Sequence, residues 1–157
     1  MIDLRKVSFG GPAAIVTGMG LIVGLDAATA SKATVITSLL IIGLADNLTD
    51  SLSVHIYQES ERLAQPDALR TTFANFAVRL LVSISFILML LLLPTSAAIY
   101  VATLWGLVLL SALSYLLARA RGAGAISEVL KHSAIALVVI ATSRAIGSLL
   151  PAIIGSA

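Results

Sequence analysis

Residues 43–61, GLADNLTDSLSVHIYQESE, hold the densest set of chemically capable side chains in the sequence. At about 100° per residue of helix, Asp46, Thr49, Asp50, Ser53, Tyr57, Ser60 and Glu61 fall within one arc of roughly a third of the circumference. Ser51, His55 and Glu59, at i, i+4 and i+8, mark the opposite side. Hard oxygen donors with an imidazole nearby suit a divalent cation such as Fe²⁺ or Mn²⁺, or a proton relay. The candidate metal ligands are therefore Asp46, Asp50, Ser53, His55, Glu59 and Glu61. His55 also has a plainer reading as a solvated or backbone-bonded histidine.

What must position these groups is set by composition. The chain of 157 residues is 59% hydrophobic and only 11% charged, with a mean hydropathy of +1.04. A soluble domain carries about 25% charged residues, and a chain of this length has no core large enough to hide the apolar excess. Lipid is the expected solvent, and the expected class is an all-α integral membrane protein forming a single domain, with no tightly bound cofactor. The basic pI of 9.3 does not point to nucleic acid, because the net charge is only +2 and the basic residues are scattered. With no cysteine there is no disulfide framework and no thiolate site.

Five apolar runs, about 7–25, 33–54, 73–93, 97–117 and 133–154, approach the roughly 20 residues needed to cross a hydrocarbon core. Pro94 separates the third from the fourth, and the Gly/Ala run 120–125 reads as a flexible turn. Arg5, Lys6, Arg62, Arg70, Arg119, Arg121 and Lys131 then fall on one side and Lys32 alone on the other. Basic loops stay cytoplasmic, so five crossings with the amino terminus in and the carboxyl terminus out are expected. A prokaryotic inner membrane is the expected location.

In that frame Asp46 lies about 10 Å inside the cytoplasmic boundary of a ~30 Å core, and Asp50 lies nearer to it. Carboxylates at such depth are costly and are functional candidates by default. On the third run Thr72, Asn75, Arg79 and Ser83 make a second polar stripe, with Arg79 as deep as Asp46. Asp46–Arg79 or Asp50–Arg79 is an available ion pair, and Arg144 in the fifth run is a second counter-ion. Two readings stand: a site that binds or conducts an ion with the arginines as gates, or pairs that only hold helices together. The latter would make the protein a non-transporting membrane subunit or scaffold. An enzyme is disfavoured, since Ser53 and His55 point in opposite directions and no Gly-x-Ser-x-Gly is present.

Gly18, Gly20 and Gly24 form a small-residue stripe on the first run, which permits close helix approach within the chain or across a dimer seam. Ser8-Phe9-Gly10-Gly11, Thr17-Gly18 and Val23-Gly24-Leu25, followed by a second helix ending in Asp50-Ser-Leu-Ser53, resemble the vacuolar iron transporter family. The resemblance implies five helices, a homodimer, and exchange of a divalent metal ion for protons along the dimer interface. The family's early aspartate–glycine pair is Gly11-Pro12 here. Its Ser-Met and Gly-Glu become Ser53-Val54 and Tyr57-Gln58, and the long cytoplasmic metal-binding domain is replaced by residues 58–71. Asp46 and Asp50 would have to stand in for the missing acid.

Overall fold

The computed structural model of the chain describes residues 10–60 and 65–155. They form five helices: α1 Gly11–Ala27, α2 Lys32–Ser60, α3 Gln65–Leu92, α4 Thr95–Ala120 and α5 Ala125–Ile154. No strand occurs among the described residues. Helices α2 to α5 are each long and apolar enough to cross a membrane. Helix α1 has 17 residues and reaches roughly 25 Å at 1.5 Å per residue. Apolar side chains cover the outer faces: Ile41, Leu44, Leu48, Leu81, Leu88, Leu104 and Val138 all lie open at the surface. A protein in water does not display apolar surface on that scale, whereas lipid covers it without cost.

Helices α3 and α5 begin about eight residues before the apolar runs expected for them, and α2 continues to Ser60. An apolar run measures hydrocarbon thickness, but a helix stops only where its backbone hydrogen bonding stops. The polar starts of α3 and α5 therefore stay helical. The glycine run between α4 and α5 is a defined turn instead of a slack one. Gly122 sits at φ 69°, Gly122 N donates to Arg119 O, and Ala123 N donates to Ala118 O. This pairing closes a helix end whenever the following residue can take the left-handed conformation. Thr29 plays the same part after α1, with φ 59° and Ala30 N donating to Leu25 O. Lys32 also acts at this end of the bundle, where its Nζ donates to Leu93 O at 2.8 Å and caps the spent carbonyls of α3.

Helix α1 is the centre of the bundle and touches each of the other four. Its Ile15, Met19 and Ile22 are buried against Leu39 of α2, Phe86 and Leu90 of α3, and Ala102 and Leu110 of α4. Between helices in lipid the gain comes from close van der Waals packing, so small residues set the approach. Gly18, Gly20 and Gly24, for which the sequence left packing within the chain and a dimer seam both open, make close approaches inside the chain. A Cβ on Gly18 would meet the Phe86 ring at 2.8 Å, one on Gly20 would lie 3.0 Å from Ser143 Oγ, and one on Gly24 would lie 3.2 Å from Ser143 O. Helix α5 answers with Gly147, where an added Cβ would run into the carbonyl oxygen of Gly24. Residue numbers rise together along this contact, so α1 and α5 are parallel, with small residues four apart on both. The obstacle at Gly147 is backbone, which cannot swing aside. Gly147→Ala should therefore destabilise the protein by about 2 kcal/mol, read from its melting midpoint in detergent. An unchanged midpoint would contradict the contact.

Candidate ion site between the second and third helices

Helices α2 and α3 form an antiparallel pair whose seam changes character along its length. Near Gly43 it is tight, and a Cβ there would lie 3.0 Å from Ser83 Oγ. Towards the end that carries Tyr57 and Arg70 it becomes polar. Asn47 is 1% exposed and donates through Nδ2 to Phe76 O at 2.9 Å. One turn on, Ser51 is buried, and so is Gln58. Asn47, Ser51, Val54 and Gln58 follow the i, i+4, i+7, i+11 spacing of a helix face turned inward, but the face is mostly polar.

Arg79 occupies the middle of this seam and is 2% exposed. Its Nη2 bonds Asp46 Oδ2 at 2.5 Å and its Nη1 bonds Asp50 Oδ2 at 2.5 Å. Nη1 also points at Gly10 O, 3.4 Å away, where α1 begins. The planar fork of a guanidinium is what allows one side chain to hold two carboxylates one helical turn apart. Each carboxylate uses Oδ2 and remains partly open, with side-chain exposures of 42% for Asp46 and 46% for Asp50. Formal charge does not cancel: two acids face one base.

Beside the pair lies a cavity of about 430 Å³ lined by Gly10, Asp50, Ser53, Val54, Tyr57, Gln58 and Asn75. On the other side of Arg79 a crevice of about 20 Å³, room for one water, is lined by Thr17, Asp46, Asn47, Arg79 and Ser83 among others. Thr17 and Leu21 line this crevice and also a wider apolar groove of about 720 Å³ between α1 and α5. Asp50 thus lines the wide space, and Asp46 and Arg79 line the narrow one.

The seam also gathers the unmatched polar atoms. Among the described residues, every buried side-chain nitrogen or oxygen without a hydrogen-bond partner belongs to α2 or α3: Asn47 Oδ1, Ser51 Oγ, His55 Nδ1, Gln58 Oε1, both amide atoms of Asn75, and Arg79 Nε. Native interiors leave few such atoms, and each one calls for a physical account.

The expected metal ligands are not brought together. Asp46 and Asp50 meet at Arg79. Ser53 is on the same side, but its hydroxyl donates to Thr49 O at 2.9 Å, and Thr49 likewise donates to its own helix. His55 pairs with Glu59 at 3.5 Å, about half a helical circumference from Asp50. Glu61 lies outside the described residues. No group of three or more His, Cys, Asp or Glu side chains able to hold a metal occurs among the described residues. Arg144 is exposed on α5, and both acids are taken by Arg79 instead. Asn75 is 1% exposed and lines the cavity. Asn47, Gln58 and Gly10 carry the site as well, and sequence reasoning passed over them. The inward spacing of Asn47, Ser51 and Gln58 was the available signal.

A second polar cluster joins α4 to α5. Buried Ser114 shares a hydrogen bond with His132 Nδ1 at 2.8 Å, and Glu128 lies 3.1 Å from Lys131 and 3.5 Å from Arg121. Ser114 is 1% exposed, so this bond ties two helices and presents no nucleophile at a surface.

In comparisons with known proteins no family model matches the chain, and neither does any curated protein or solved structure.

Proposed function

We propose that this protein is a membrane transporter of cations, with Asp46, Arg79 and Asp50 as its exchange centre. The observation that carries the reading is the charge imbalance at Arg79: two partly open carboxylates share one buried guanidinium beside a cavity. A pair that served only to hold helices would be balanced and closed, because any uncompensated charge at membrane depth is costly. An acid in surplus is what a mobile cation neutralises. The narrow crevice beyond Arg79 supports its role as the gate.

The cargo we propose is a divalent metal ion such as Fe²⁺ or Mn²⁺, exchanged for protons, as the family resemblance implies. In this geometry Arg79 occupies the carboxylates, so the metal binds when the guanidinium swings away and two acids meet two positive charges. The host is a lipid bilayer, and the assembly is a homodimer. Orientation follows the basic loops, with the end bearing Arg70, Arg119 and Lys131 in the cytoplasm. The scaffold reading keeps one specific support, since Arg79 bonds both of its partners fully within one chain.

Melting in the presence of metal tests the choice. At 100 times Kd, Mn²⁺ should stabilise the wild type by about 2.7 kcal/mol, seen as a rise in melting midpoint, and Asp50→Asn should remove the rise. A wild type indifferent to Mn²⁺, Fe²⁺ and Co²⁺ would leave the scaffold reading in possession.

A further inference from the structure

The cavity beside Asp50 has features that a proton or a divalent cargo does not use. Asn75 is 1% exposed and Gln58 8% exposed. Both line the cavity, and each presents a buried amide atom with no partner among the described residues. Asn75 leaves both ends of its amide unmatched. It is seated directly against Gly10, where a Cβ would collide with its Oδ1. Water alone would satisfy the amides but would not touch the charge. With Arg79 bonded to both acids, the centre carries one net negative charge.

We infer that, while Arg79 holds both carboxylates, the cavity lined by Asp50, Asn75 and Gln58 binds a single Na⁺ ion. The inference rests on the reading of this centre as a cation site and adds the charge class of a second, coupling ion. A monovalent cation brings the centre to neutrality, whereas a divalent one overshoots by a full charge. The amino-terminal end of α1, which begins at Gly11 beside the same cavity, contributes about half a positive charge and disfavours the divalent occupant further. The donors fit as well: one carboxylate and neutral amide oxygens are hard ligands, and no thiolate or imidazole lines the cavity. A volume of about 430 Å³ leaves room for several waters beside one ion. The ion therefore enters with part of its hydration shell, which supplies the remaining oxygens. Arg79 and Na⁺ then act in sequence: Na⁺ balances the closed centre, and the divalent cargo replaces Na⁺ when the guanidinium leaves.

The test is a melt of the purified protein in detergent at constant ionic strength and pH, with choline chloride replaced stepwise by NaCl. Na⁺ should raise the melting midpoint by about 4 °C at ten times its Kd. Asn75→Leu should abolish the rise while keeping the fold, because leucine has the same branched four-atom skeleton as asparagine and buries no unpaired amide. Gln58→Met, placed at the cavity's other side, should weaken the apparent Na⁺ affinity about tenfold. Equal midpoints in Na⁺ and choline would overturn the inference, as would a Na⁺ shift that survives both substitutions. A Mn²⁺ response without a Na⁺ response sinks this inference alone, and the absence of both also removes the transporter reading.

Discussion

Arg79→Gln is expected to destabilise the protein by about 1–2 kcal/mol, because the two acids it leaves without a counter-charge are nearly half open and partly screened. The substitution strands Asp46 and Asp50 one helical turn apart at the same seam, where they repel each other as well as lacking a counter-charge. It also removes the contact to Gly10 O that ties the start of α1 to α3. Unfolding in detergent, followed by helix signal against temperature or added SDS, reads the loss. Arg79→Gln combined with Asp50→Asn should recover much of it, since only one acid then remains. Arg79→Lys should not substitute, because an ammonium has no fork with which to hold two carboxylates. Asp50→Asn alone should cost little, as Nη2 keeps Asp46. A melting curve for Arg79→Gln that overlays the wild type would show that the bridge is not formed.

Asp50→Asn is accordingly a clean probe of function. In proteoliposomes loaded at low internal pH, uptake of Mn²⁺ should fall by about 100-fold, the scale on which metal affinity responds to loss of a supporting ligand. The fold stays intact, so the loss is read against an unchanged melting midpoint measured without metal. Flux by Asp50→Asn equal to the wild type would remove this acid from the pathway.

The apolar runs were legible because lipid enforces them: a helix that crosses must present about 20 predominantly apolar residues. The helix ends were not, since polar stretches such as those at the start of α3 and α5 form equally good helices outside the hydrocarbon. Asp46, Asp50 and Arg79 stood out as charges inside apolar runs, and their equal depth suggested contact. That both acids would share one guanidinium depends on the crossing of α2 and α3, which spacing along one helix does not reveal. Asn47 and Gln58 escaped notice because uncharged amides near a polar helix end look like solvated ones. Which face turns inward is decided by the neighbour. The glycine stripe was ambiguous for a related reason, because Gly20 and Gly24 permit close approach without naming the helix that approaches.

The central place of α1 bears on the order in which the chain is built. Helices leave the ribosome in sequence, and α1 is the first of the five, yet the Gly20 and Gly24 strip on it is covered by α5, the last. During synthesis that strip faces lipid until α2, α3 and α4 have inserted. A nascent chain stalled ahead of Ala125 would hold its innermost helix half uncovered, with the Ser143 and Gly147 face not yet made. The close approach of α1 and α5 therefore waits for the whole of the chain between them.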